Sequence, residues 1–147
     1  MVNVHDVPPW GAHGRRYAFP HPQTRDGKAW DLRRVGPAEL DDCRKFFVPP
    51  EVQVNWAGLR QDDNGSWLKL SWDAAQLPYL GLWIDEGNYA TVSTAALEPM
   101  NGYYDSLATA YNNDKVSSLA AGETAQWIVT VQLNDGTLPI NDLITPK

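Results

Sequence analysis

"TAQWIVTVQL", residues 124–133, decides the fold class. Trp127, Val129, Val131 and Leu133 fall on one side of an extended chain, and Thr130 and Gln132 on the other. Strict alternation is the signature of a β-strand with one buried face. Working outward, the same period recurs. "SWLKLSW" (66–72) sets Leu68, Leu70 and Trp72 against Trp67, Lys69 and Ser71, and "EVQVNWAGL" (51–59) lines up Val52, Val54 and Trp56. Between them "DDNG" (62–65) is a hairpin signal. "LPYLGLWI" (77–84) is a continuous apolar run, read as a strand covered on both faces. "NYATVSTAALE" (88–98) reads as a further strand, with Pro99 stopping it just after Glu98. Two short helices are predicted, over "PAELDDCRKFF" (37–47), with proline in its first turn and acids ahead of bases, and over "YYDSLATAYNN" (103–113). Strands recurring about every ten residues with turns between them predict an all-β antiparallel β-sandwich in one domain. Residues 51–135 form its sheet core, and residues 1–50 are loop-rich because of Pro8, Pro9, Pro20, Pro22, Pro37 and Pro49. Trp10, Tyr17, Phe19 and Trp30 predict that this stretch packs down rather than trailing.

Composition narrows the function classes. The 147 residues are 43% hydrophobic and 20% charged, so a folded core is expected. Net charge is −6 and the pI is about 4.9. No basic patch beyond "GRRY" (14–17) offers itself to phosphates, so no nucleic-acid partner is expected. No apolar run approaches a membrane span and "MVNVHDVPPWGAHG" has no signal-peptide core, so a cytoplasmic protein without a membrane partner is expected. The single cysteine, Cys43, cannot form an internal disulfide.

No phosphate loop, dinucleotide fingerprint, paired-cysteine motif or nucleophile elbow occurs. His5, His13 and His21 all lie in the proline-rich part and have no metal-ligand spacing, so no metal is expected. The seven tryptophans have two readings, core packing or platforms for the apolar face of a sugar ring. Trp72, Trp83 and Trp127 sit on apolar strand faces, where core packing is the first expectation, whereas Trp10, Trp30 and Trp56 are less committed. In "STAALEPMNGYYDSL" (93–107), alternation puts Glu98 with Thr94 and Ala96, and Ala95 with Leu97 on the opposite face. A carboxylate above small side chains has room to act as a general base or to bind hydroxyls; the alternative is a solvent-exposed strand-end glutamate.

Three segments in order, "LPYLGLWIDEG", "AALEPMNGYYDSLATAY" and "LAAGETAQWIVTVQL", resemble the C-terminal part of aldose 1-epimerase (galactose mutarotase-like) proteins. Pro78, Gly81 and Trp83 match one motif; Glu98 and Pro99, then Asp105, Ser106 and Leu107, match the next; Gly122, Glu123 and Trp127 match the last. "YAFPHPQTRDGKAWDL" (17–32) resembles a further family segment, so the likeness runs from about residue 17 to 133. The resemblance implies a partial mutarotase-like supersandwich that binds a monosaccharide and interconverts its anomers without a cofactor. It implies Glu98 as general base and leaves His21 as the candidate for the acid, since the family's histidine lies in an N-terminal half that has no counterpart here. Trp56, Trp83 and Asp105 are carried as candidate sugar contacts. A non-catalytic carbohydrate-binding module is the alternative. A half sandwich has bare edges, which predicts association with a second copy or with a missing N-terminal half.

Overall fold

The computed structural model describes residues Val2–Val4, Arg15–Tyr17 and 31–137. Among the described residues eight strands carry the fold: β1 (Val2–Val4), β2 (Arg15–Tyr17), β3 (Asp42–Phe47), β4 (Trp56–Arg60), β5 (Trp67–Trp72), β6 (Tyr79–Glu86), β7 (Thr94–Met100) and β8 (Val129–Asn134). The described residues also hold one helix, α1 (Leu107–Asn112), and a 3-10 turn at Ala38–Leu40. The strands form two antiparallel sheets, one ordered β2-β1-β3-β6-β7 and one ordered β4-β5-β8. Among the described residues no helix is long and apolar enough to cross a membrane.

The two sheets meet through one apolar cluster. Ala57, Leu70, Trp72 and Val129 of the smaller sheet pack against Leu77, Leu80, Leu82 and Leu97. The Trp72 indole N–H donates to the Leu77 carbonyl at 3.0 Å, so its polar edge is satisfied inside the core. Leu32, Phe46 and Ile84 extend the core, with Ala95 packed on them. Register then fixes the other face of the larger sheet. Phe46 pairs with Leu82 and Leu82 with Leu97 on the core side, so Lys45, Trp83 and Ala96, next along each strand, point the opposite way.

Several expectations are corrected. Residues 37–47 hold no α-helix: after Ala38–Leu40 the chain turns at Asp41 (φ 49°) and enters β3. Tertiary pairing overrides local propensity here, because β3 is an interior strand hydrogen-bonded to both β1 and β6. The sheet therefore begins well before residue 51. Val52 is exposed and precedes β4, whose inward residue is Ala57 rather than Trp56. Pro99 does not stop β7, which continues to Met100; Pro99 is tolerated because β7 is an edge strand. Trp127 is 48% exposed and lies before β8, so it is no core residue. The "DDNG" hairpin is present: β4 pairs with β5 in the expected sense, and Gly65 takes φ 74° in the turn.

Buried charge ties the loops down. The Glu86 carboxylate accepts from Arg44 Nη1 at 3.1 Å, is ion-paired with Nη2, and accepts the Gly36 N–H at 2.6 Å. Arg44 also reaches Asp42 at 3.1 Å. Asp85, fully buried, accepts backbone N–H groups of Asn88 (2.9 Å), Tyr89 (3.1 Å) and Ala90 (2.9 Å), which shapes the turn after β6. Gly87 in that turn has φ 99° and lies against the Ala38 carbonyl, where no side chain fits.

Candidate functional site

The outer face of the larger sheet carries Cys43, Lys45 and Phe47 from β3, Tyr79, Gly81, Trp83 and Asp85 from β6, and Thr94, Ala96, Glu98 and Met100 from β7. β6 lies between β3 and β7 and Glu98 is two residues along β7 from the position across from Lys45, so the two stand roughly 12 Å apart at the backbone. Only a long side chain spans that gap. Lys45 does so, and its ammonium bonds the Glu98 carboxylate through Oε2. The residue beneath is Gly81. A Cβ there would sit 3.1 Å from Glu98 Oε2 and 3.1 Å from the Phe47 ring, so the missing side chain makes the space for the pair.

Asp105 comes from the segment after β7. Its Oδ1 lies 3.0 Å from Lys45 Nζ, giving one ammonium two carboxylates. The preceding Tyr104 has φ 74°, a conformation rare for a bulky residue, and such strain persists where the surroundings hold it. The holding groups are aromatic. Tyr103, fully buried, packs on Phe47 (5.6 Å) and Tyr79 (5.3 Å), and the Tyr104 ring meets the edge of Phe47 at 5.7 Å. Behind Asp105, Ser106 caps α1 by accepting the Thr109 N–H. The Lys45 side chain is 11% exposed, while Glu98 and Asp105 are 31% and 32% exposed. The carboxylates are thus the open rim and the ammonium is the floor.

Glu98 shares its face with Thr94 and Ala96, as the alternation requires. Trp83 is half-buried on the same face, and its ring lies 6.1 Å from that of the exposed Tyr89. Glu98, Asp105 and Trp83 are therefore brought to one surface. Trp56 is not. Its neighbour Ala57 points into the shared core, so Trp56 projects from the far side of the smaller sheet, where Lys69 Nζ sits 5.3 Å over its ring. His21, with His5 and His13, lies outside the described residues, as do Trp10 and Trp30.

Lys45 is the residue that sequence reasoning missed. The signal was present, since reading "DCRKFF" at period two puts Cys43, Lys45 and Phe47 on one face; the helical reading hid it. Burial pushes the Cys43 thiol up, and the Asp85 and Asp42 carboxylates add to this against a contact from Trp83 that lowers it. A thiol so placed is a poor nucleophile. Burial also pushes the Tyr79 phenol up. Among the described residues no group of three or more His, Cys, Asp or Glu side chains is placed to hold a metal ion.

No family model, curated protein or solved structure matches this chain.

Proposed function

We propose that the chain is a mutarotase-like carbohydrate protein. Its Lys45–Glu98–Asp105 face binds an aldose in pyranose form, and Glu98 acts as general base in interconverting the anomers. The observation that carries this reading is the division of labour within one carboxylate. Glu98 Oε2 is held by Lys45, while Oε1 has no hydrogen-bond partner among the described residues and stands on a partly open surface. A carboxylate fixed through one oxygen presents the other in a set direction, which is what proton abstraction from a hydroxyl needs. The two sheets joined by a shared apolar cluster also support a galactose mutarotase-like β-sandwich as the finer description of the fold.

In this reading Oε1 takes the proton of the C1 hydroxyl. The C1–O bond to the ring oxygen breaks, its electrons go to the ring oxygen, and that oxygen receives a proton. The donor beside Glu98 is the Lys45 ammonium, which occupies the role that a histidine fills in the family the sequence resembles. Rotation about C1–C2 and the reverse transfers reclose the ring and return both protons. No cofactor enters the scheme.

Optical rotation of freshly dissolved α-glucose or α-galactose tests this. The protein is expected to hasten mutarotation, and Glu98→Gln to slow it by about 100-fold. A rate equal to that of buffer alone removes the enzyme reading, and full activity in Glu98→Gln removes Glu98 from the mechanism. A second reading, non-catalytic carbohydrate binding, is favoured by a separate feature: the Trp83–Tyr89 pair offers aromatic surface beside carboxylates that accept hydroxyl protons without transferring them. Sugar-induced shifts of the Trp83 indole resonance without mutarotation select that reading. No shift at saturating sugar sinks both.

A further inference from the structure

We propose that the outer face of the smaller sheet is a second binding site, which holds a small organic anion by its carboxylate and rests the ring that carries it on Trp56. Leu70 and Trp72 of β5 enter the shared core, so Trp67 and Lys69, which alternate with them, stand on the opposite face. Two residues of β4 reach the same face. Arg60 pairs with Trp67, and Trp56 lies two positions from Gly58, the partner of Lys69. Lys69 is therefore flanked on its diagonals by Trp56 and Arg60, and its ammonium sits 5.3 Å over the Trp56 ring. The face is open. Trp56, Gly58 and Arg60 on one side of Lys69 are exposed, as are Thr130 and Gln132 on the other.

Two donors on this face lack the acceptor that their burial calls for. Lys69 is 8% exposed, and lysines buried to that degree are normally paired. The other buried cations obey the rule: Arg44 has Glu86 and Asp42, and Lys45 has Glu98 and Asp105. Among the described residues Lys69 has no carboxylate, only the Trp56 ring. Trp67, also 8% exposed, buries its indole N–H without a hydrogen-bond partner, whereas Trp72 donates the same group to Leu77. The strands β4, β5 and β8 contain no Asp or Glu, although the chain has 18 acidic residues. A face bearing Lys69 and Arg60 without acids attracts an anion, and a carboxylate seated on Lys69 is the acceptor that both donors lack. Rotation of Arg60, exposed and directly across from Trp67, admits that carboxylate to the indole N–H. Trp56, 39% exposed, adds apolar surface beside the charge, which suits a carboxylate carried on a ring better than a bare inorganic anion. The Lys45 site differs in kind: it lies on the larger sheet, and its two carboxylates outnumber its one ammonium.

The test uses the full chain, isotope-labelled so that each indole N–H resonance is read separately. The probes are sodium glucuronate and sodium benzoate, with glucose and benzyl alcohol as their uncharged counterparts. At least one acid is expected to move the Trp56 and Trp67 signals saturably, with Kd on the order of 1 mM and at least tenfold below that of its counterpart. A response to glucuronate alone makes the ligand a sugar acid, and a response to benzoate alone an aromatic acid. Lys69→Met keeps the stem and removes the charge; it is expected to weaken binding at least tenfold with an unchanged circular dichroism spectrum. Trp67→Phe keeps an aromatic ring and removes the donor, and is expected to weaken binding about fivefold. Raising salt from about 0.05 to about 0.5 M should weaken it as well. If Lys69→Met does not fold, Trp67→Phe and the salt series still decide. Four results overturn the proposal: no movement with either acid at about 50 mM, equal affinity for the uncharged counterparts, full affinity in a folded Lys69→Met or in Trp67→Phe, or shifts confined to Trp83 on the other sheet.

Discussion

Lys45→Met, Glu98→Gln and the double variant form a thermodynamic cycle that asks whether the bridge over Gly81 couples β3 to β7. Methionine keeps the stem that crosses β6 and removes only the ammonium. The pair is neither buried nor exposed: Lys45 is 11% exposed and Glu98 31%. Exposed ion pairs contribute roughly 0.2–1 kcal/mol, and breaking a buried pair costs about 3–5 kcal/mol. Between these limits, Lys45→Met is expected to cost about 2 kcal/mol, since Asp105, 3.0 Å from the ammonium, loses its partner too. Glu98→Gln is expected to cost about 1.5 kcal/mol, because the ammonium keeps Asp105. Once Lys45 is gone, removing the Glu98 charge costs almost nothing, so the coupling is about 1.5 kcal/mol. Urea denaturation reads this directly: with a slope near 2 kcal/mol per molar, Lys45→Met lowers the midpoint by about 1 M. Moderate salt lowers the coupling only in part, as a half-buried pair is incompletely screened. Additive single costs, within about 0.5 kcal/mol, would refute the bridge and with it the argument that Glu98 is held through one oxygen.

Three further outcomes follow from the buried charges and from Tyr79. Arg44→Met strands the Glu86 carboxylate in the core and is expected to cost about 3–5 kcal/mol by urea denaturation. Adding Glu86→Leu should recover only part, because the Gly36 N–H then loses its acceptor. Asp85→Ala frees the N–H groups of Asn88, Tyr89 and Ala90 and is expected to cost about 3 kcal/mol; amide exchange at those three residues should accelerate, and Asp85→Asn should be milder because its amide oxygen still accepts. Burial raises the Tyr79 phenol, so the fold binds that proton more tightly than the unfolded chain does. Its contribution to stability is complete below the ordinary phenol value of about 10 and is lost as pH rises through the higher folded value. Difference absorbance between wild type and Tyr79→Phe should place phenolate formation above that of free tyrosine, and a midpoint at or below the free value contradicts the burial argument.

The parts of the fold legible in the sequence are those where a single alternation has a single consequence. β5 and β8 are recovered because "SWLKLSW" and "IVTVQL" alternate, and β6 because "LPYLGLWI" is a short apolar run bounded by turn residues. β3 was not, because "ELDDCRKFF" satisfies helical charge rules as well as strand alternation, and only its pairing with β1 and β6 decides between them. Pairings across long stretches of chain, such as Trp72 with Val129, have no local signal at all. The same limit explains Trp127. Alternation assigns it to a strand face, but Trp127 lies before β8, and Val129 is the residue of this segment that packs on the core cluster.

The site divides along the same line. Glu98 stands out in the sequence because a lone carboxylate among Thr94, Ala95, Ala96 and Leu97 is conspicuous in one strand, and its proposed role comes from the resemblance. Lys45 was missed because its meaning lies in a strand two positions away in the sheet and remote in the sequence. The correction changes the chemistry proposed. A glutamate alone over small residues suggested a base waiting for a histidine acid. With Lys45 beneath it and Asp105 beside it, the surface already holds a donor and two acceptors, arranged by Gly81 below and the Tyr103–Tyr104 turn behind. A side chain at position 81 would crowd Glu98, Phe47 and Met100. The sheet instead keeps a charged span across an empty position, an arrangement that couples β3 to β7 and holds one carboxylate oxygen of Glu98 on Lys45.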